Sequence, residues 1–82
     1  METVSVLFFA GLAERIGARR AEVPILPGET VQSFLERLAA EYPPLAGHLA
    51  TLMVAVDEEY VERETPLVPG ATVALIPPVS GG

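Results

Sequence analysis

The C-terminal segment of this 82-residue chain carries the group best suited to covalent chemistry. Its residues are, in order, Pro77, Pro78, Val79, Ser80, Gly81 and Gly82. Elsewhere the sequence contains no cysteine, no lysine and a single histidine, so side-chain nucleophiles and bases are scarce. The α-carboxyl group of Gly82 is unhindered, because glycine has no Cβ atom to clash in a narrow channel. We therefore expect any covalent chemistry to take place at the Gly82 carboxylate.

The two prolines predict a tail, residues 77–82, that leaves the folded domain in an extended, polyproline II-like conformation. The four residues beyond Pro78 can reach at most about 13–14 Å, which is enough to enter the active site of a neighbouring protein. Ser80 has no base placed to activate it, and we interpret it as a small polar tail residue. A linker left from cloning would also end in serine and glycine, but the direct run from a strand through two prolines favours a native tail.

Composition and charge limit the possible function classes. Half of the residues are hydrophobic, which predicts a packed core in a single domain spanning residues 1–82. The formal net charge of −6 argues against nucleic-acid partners, because phosphate binding needs lysine and arginine in excess. No apolar stretch of about eighteen residues and no secretory leader pattern are present, so we expect no membrane partner and a cytoplasmic location.

Hydrophobic periodicity predicts the elements that must position the tail. The clearest is a long helix after the N-cap Thr30, with one apolar stripe and a stop at Pro43. The predicted order is strand 4–9, short helix 12–16, strand 21–25, helix 31–42, and strands 52–56, 60–62 and 72–76. This order indicates an α+β fold in which one long helix lies across one face of a mixed sheet of about five strands.

One helix covers only one face of such a sheet, so apolar residues on the other face are expected to be exposed. Alternation places Leu7, Phe9, Ala74 and Ile76 away from the helix, and Tyr60 is expected to join them across the sheet. An uncovered apolar patch usually marks a partner surface, and we predict one that includes Phe9, Tyr60 and Ile76. A strand register wrong by one residue would instead place Phe9 and Ile76 in the core.

Other polar clusters have structural interpretations. His48 lies in a connector without metal-ligand spacing around it, so a surface or packing histidine is favoured over a ligand or base. The acids of residues 57–59 are expected to form a solvated turn, and the sequence predicts no metal site. The arginines between Arg15 and Arg20 are favoured as a solvated helix end, with a docking patch as the alternative.

The chain resembles the MoaD/ThiS family of ubiquitin-like, β-grasp sulfur carriers, and within it the small subunits of molybdopterin synthase. The resemblance covers essentially the whole chain. It rests on the opening segment 6–10, the turn 67–70 before the last strand and the terminal segment 77–82. Residues 75–76 are Leu-Ile where many members of the family carry two aromatics, a difference that concerns the shape of the apolar patch.

The resemblance implies a mechanism at Gly82. An E1-like adenylyltransferase would use ATP and magnesium to form an acyl-adenylate, which a sulfur donor protein converts to a thiocarboxylate. The tail, with Pro77, Pro78, Val79, Ser80 and Gly81 as its binding residues, would then enter the large synthase subunit. There the sulfur would pass to the cyclic pterin precursor and form the molybdopterin dithiolene. The chain itself would bind no cofactor and would not be an enzyme, since the catalytic residues are expected in the large subunit.

Two alternatives remain open from the sequence. The same carrier chemistry could supply sulfur to another pathway, such as tRNA thiolation or thiamin synthesis. The chain could instead be a ubiquitin-like protein modifier whose Gly82 forms an isopeptide bond with a target lysine, because adenylation is common to carriers and modifiers.

Overall fold

The computed structural model describes residues 2–78 as a mixed five-stranded sheet with one long helix packed on one face. The predicted tail residues Val79, Ser80, Gly81 and Gly82 lie outside the described residues. In chain order the elements are β1 (Thr3–Phe8), α1 (Gly11–Ile16), β2 (Arg20–Pro24), α2 (Val31–Glu41), a 3-10 helix (Pro43–His48), β3 (Met53–Val56), β4 (Glu59–Tyr60) and β5 (Thr72–Ile76). The α+β, β-grasp prediction is confirmed.

The sheet has the strand order β2-β1-β5-β3-β4, so the last strand lies at its centre. β1 and β5 pair in parallel, with Val6 opposite Val73, and the other pairs are antiparallel. β4 is shorter than expected, because the chain turns at Asp57 and Glu58, both with positive φ, and leaves only two residues to pair. The central position of β5 brings the start of the tail to the middle of one sheet end.

Helix α2 supplies most of the cover for the sheet. Thr30 caps it as predicted: its hydroxyl accepts from the Ser33 backbone N–H, and the Ser33 hydroxyl accepts in turn from the Thr30 N–H. The helix ends before the two prolines of the 3-10 helix, which cannot continue its hydrogen bonding. Its apolar stripe is buried against the sheet through Val31, Phe34, Leu35, Leu38 and Ala39.

The connector between α2 and β3 is held by a single guanidinium. Arg63 donates hydrogen bonds to the carbonyls of Leu49 (2.7 Å) and Leu52 (2.8 Å), and another to the side chain of Gln32 on α2 (3.1 Å). These bonds satisfy the Leu49 and Leu52 carbonyls in a segment for which the sequence predicted only an irregular connector. They fix the position of the 3-10 helix and therefore of His48 at its end.

A buried carboxylate anchors the start of α2 to the edge strand β2. Glu29 is 7% exposed and forms a bidentate pair with Arg37, with bonds of 2.8 and 2.9 Å. The same carboxylate accepts from the Leu26 N–H, and Arg37 donates to the Pro24 carbonyl at 2.7 Å. The hydrogen bonds from Arg37 hold the pKa of Glu29 below its usual value, although burial acts in the opposite direction.

The Glu29–Arg37 pair should make stability depend on acid pH. Because the pKa of Glu29 is lower in the folded state, its contribution is complete above its ordinary value of 4.5 and is lost as the pH falls through the folded pKa. We expect Glu29→Gln to lower the free energy of unfolding at pH 7 by about 1–3 kcal/mol and to flatten the acid limb. Urea unfolding at several pH values measures both. Glu22→Gln is the control, because Glu22 forms an exposed pair with Arg20, and it should change the free energy of unfolding by no more than about 1 kcal/mol. A loss in Glu22→Gln equal to that in Glu29→Gln would contradict a special contribution of the buried pair.

Candidate functional site

The face of the sheet opposite α2 carries an apolar patch, as the alternation in the sequence predicted. Side chains alternate on β1, so that Phe8 is 3% exposed and packs in the core whereas Phe9 is 43% exposed. Tyr60 is 66% exposed and Ile76 is partly exposed. The register that would have placed Phe9 and Ile76 in the core is therefore excluded.

Backbone pairing brings the predicted residues together. Leu7 lies opposite Ala74, Ala74 opposite Ala55, and Ala55 opposite Tyr60, so one row crosses four strands. A shallow depression of about 560 Å³ connects Phe9, Tyr60 and Ile76 across this row. We call this surface the open-face patch; its apolar members are Leu7, Phe9, Met53, Ala55, Tyr60, Ala74 and Ile76.

Sequence reasoning missed two members of the open-face patch. Met53 is 46% exposed and lies opposite Ile76, and Ala55 lies under Tyr60. The stretch 52–56 is apolar at every position, so alternation in hydrophobicity carries no signal there. Only the pairing of β3 with β5 determines which side chains of β3 face outward. Alternation had assigned the outward residues of β5, and the β3 residues opposite them share their face.

Polar and charged groups bound the open-face patch at the end of the sheet away from the tail. On one side Ser5 donates to the Glu22 carboxylate, and Arg20 donates to Ser5 at 3.3 Å. On the other side the Asp57 carboxylate accepts from the Thr72 N–H at 2.9 Å. The acidic turn is thus held by a backbone hydrogen bond, and the described residues contain no group of three or more potential metal ligands.

The tail begins where the open-face patch ends. Pro77 and Pro78 directly follow Ile76, and they line a second depression of about 390 Å³. Its other walls come from the turn between β1 and α1, where Ala10 has a φ of 51°, and from Leu12, Arg15 and His48. Pro77 and Pro78 therefore lie between the depression of the open-face patch and the second depression, which Arg15 and His48 line.

Arg15 and His48 meet in this second depression, a contact that the sequence did not predict. The Arg15 Nη1 atom lies 3.0 Å from His48 Nε2. A guanidinium can only donate, so His48 Nε2 is the acceptor in this contact. The two residues are 33 positions apart in the sequence, and no local motif could have indicated the pair.

The mixed five-stranded sheet crossed by one long helix defines a ubiquitin-like, β-grasp protein. The model of the ThiS family matches residues 6–82, and the chain belongs to this family. None of the helices in the described part of the chain is long and apolar enough to cross a membrane.

Known relatives match along nearly their whole length. The molybdopterin synthase sulfur carrier subunit of Escherichia coli is 36% identical over 81 residues, covering 96% of this chain and 99% of the relative. The human protein of the same name is 34% identical over 82 residues, covering 96% and 93%.

Solved structures of two kinds share the fold. The crystal structure of small archaeal modifier protein 1 from Haloferax volcanii has a TM-score of 0.86 and 25% identity, covering 96% of this chain and all of that one. A protein–protein complex of subunits 1 and 2 of the molybdopterin-converting factor from Helicobacter pylori contains a chain with a TM-score of 0.69 and 25% identity, covering 98% and 99%.

The adjacent phenylalanines provide a direct test of the face assignment. Phe9→Asp should change the free energy of unfolding by no more than about 1 kcal/mol, because the new charge remains in water. Phe8→Asp should lower it by more than about 4 kcal/mol or prevent folding, because it buries a charge in the core. Circular dichroism with urea unfolding measures both variants. Loss of folding in Phe9→Asp together with tolerance of Phe8→Asp would mean that the faces are inverted.

Proposed function

We propose that this chain is the sulfur carrier subunit of a molybdopterin synthase, with sulfur carried as a thiocarboxylate on Gly82. The observation that carries the proposal is the exit of the tail from the central strand β5 beside the open-face patch. A partner seated on the patch is positioned to receive a tail that starts at Pro77. The relatives named sulfur carrier subunits, which match almost end to end, support the same function.

The chemistry follows from the carboxylate. A Gly82 oxygen attacks the α-phosphorus of ATP in an E1-like adenylyltransferase, with magnesium on the phosphates, and pyrophosphate leaves. The outer sulfur of a persulfide on a sulfur donor protein then displaces AMP from the acyl carbon and forms an acyl disulfide. A thiol cleaves the S–S bond of this intermediate, which leaves the Gly82 thiocarboxylate and a disulfide on the donor side. ATP and magnesium belong to the activating enzyme, and this chain supplies the acyl group.

The partner is the large subunit of the synthase. The complex of subunits 1 and 2 from Helicobacter pylori supports such a partner, because its matching chain shares this fold. We place the acid–base residues for sulfur insertion in that subunit, since this sequence has no cysteine or lysine and its histidine is engaged by Arg15. The thiocarboxylate sulfur attacks a side-chain carbon of the cyclic pterin precursor and displaces an oxygen substituent, and water then hydrolyses the resulting thioester and restores the carboxylate of the carrier. Because a dithiolene contains two sulfurs, two charged carriers are consumed for each product.

A single-turnover assay tests the proposal. The Gly82 thiocarboxylate form is mixed with the large subunit and the cyclic pterin precursor, and the carrier is followed by intact mass. Replacement of sulfur by oxygen on the carrier, together with appearance of the dithiolene, is the expected result. A thiocarboxylate that persists beside a demonstrably active large subunit would assign the carrier to another acceptor, with tRNA thiolation and thiamin synthesis tested next.

Removal of Gly81 and Gly82 should separate function from folding. The described core extends from Val4 to Leu75 and is complete without the tail, so stability should change by less than about 0.5 kcal/mol. Sulfur transfer should be abolished, because the shortened chain ends at Ser80 and its terminal carboxylate lies two residues short of the position of the Gly82 carboxylate. Thermal unfolding and the single-turnover assay measure the two effects. A large fall in Tm would show that the tail is structural.

The open-face patch should contribute to partner binding more than to folding. We expect Phe9→Asp to weaken binding of the large subunit roughly thirtyfold or more, as for a central hydrophobic contact. Val68→Asp is the matched control, because Val68 is also exposed (63%) but precedes β5 at the opposite end of the sheet. Calorimetric titration compares the variants. Equal losses of affinity would indicate an effect of added negative charge and not of the patch.

A second candidate function is that of a ubiquitin-like protein modifier. The likeness to small archaeal modifier protein 1, with a TM-score of 0.86, favours retaining it. Modifier activity would attach Gly82 to lysines of other proteins, because this chain has no lysine of its own. Higher-mass conjugates in cell extract that disappear when Gly82 is deleted would support it, and their absence beside active sulfur transfer would exclude it.

A further inference from the structure

Two depressions meet the start of the tail. The depression of the open-face patch reaches the tail through Ile76, whereas the second depression is lined by Pro77 and Pro78 together with Arg15 and His48. A protein that takes in the tail up to Pro77 lies close to both depressions, because one is lined by the first tail residues and the other by their immediate neighbour. The second depression is therefore placed to contribute to an interface that receives the tail.

The charge of Arg15 has no counter-ion in the described structure. Among residues 2–78 its guanidinium lies within ion-pair distance of no carboxylate, and its side-chain hydrogen bond goes to the His48 ring. The side chain is exposed, so water solvates the charge in the free protein. Covering this guanidinium in a complex without a counter-ion would be costly, since desolvation of a charge must be offset by a partner.

We propose that Arg15 and His48 form a docking site for a carboxylate side chain of the large subunit that receives the tail. This inference rests on the proposed function and names one contact of that interface. The planar fork of a guanidinium matches a carboxylate with two parallel hydrogen bonds, and His48 lines the same depression and contacts the guanidinium. The 390 Å³ depression beside the prolines has room for an aspartate or glutamate side chain.

The chain's own carboxylate cannot fill this role in the complex. When the tail extends into an active site, Gly82 lies up to about 13–14 Å beyond Pro78, so it cannot occupy a depression that Pro78 itself lines. The counter-ion must then come from the partner. Because this chain carries a net charge of −6, one cation paired with one acid of the partner at this point also fixes the orientation of docking.

Charge-neutral variants of the full-length carrier test the docking site. We expect Arg15→Gln to weaken binding of the cognate large subunit roughly ten- to a hundredfold, as for one partner of a hydrogen-bonded charge pair covered by an interface. Arg15→Lys should restore part of the affinity, because it keeps the charge but not the fork. Val68→Asp is the control: it changes the net charge by the same one unit at an exposed position at the opposite end of the sheet, and should change affinity less than about twofold.

The outcomes of this titration are distinct, provided that each variant keeps the wild-type Tm. Unchanged affinity in Arg15→Gln, or an equal loss in Val68→Asp, overturns the carboxylate site while the proposed function stands. A gain in affinity also overturns it and indicates that the free chain's Gly82 carboxylate occupies the depression; a shift of the His48 ring resonances on amidation of Gly82 would identify this. If the wild-type carrier itself fails to bind the large subunit, the proposed function falls together with the site.

Discussion

The structure depends on the burial of one helical stripe against one face of a five-stranded sheet. Helix α2 carries a single apolar stripe, which includes Phe34 and Leu38, and this stripe meets the inward side chains of β1 and β5. No second long helix exists among residues 2–78 to cover the opposite face. The hydrophobic effect thus stabilises the domain and at the same time leaves the open-face patch, since strands present apolar side chains on both of their faces.

The parallel pairing of β1 and β5 determines where the tail leaves the domain. Because β5 is the central strand, its end lies beside the end of β1, and the Phe9 N–H donates to the Leu75 carbonyl at 3.2 Å. A tail leaving an edge strand would start at the periphery of the patch. Here it starts beside the open-face patch, so in the proposed complex binding of the patch and capture of the tail would be parts of one docking event.

The sequence predicted much of the fold because its signals are local. Thr30 and the prolines after Tyr42 mark the ends of α2, and Gly17, with a φ of 84°, ends α1 as expected of a left-handed cap. The central position of β5 and the outward direction of Met53 depend on pairing between distant segments, which periodicity does not contain. The Arg15–His48 contact is of the same kind, because two elements separated along the chain create it.

Separation of rigid and reactive parts explains why so small a chain can act as a carrier. The Glu29–Arg37 pair and the Arg63 hydrogen bonds hold the ends of α2 and the connector behind it, far from the reactive carboxylate in sequence. The reactive group therefore requires nothing from the core except a fixed starting point at Pro77. Chemistry at a terminal carboxylate needs no activating side chain within this domain, so its surface is free to specialise in recognition. In the proposed complex, apolar area on the open face would supply affinity, and the charge of Arg15 beside Pro77 would supply orientation.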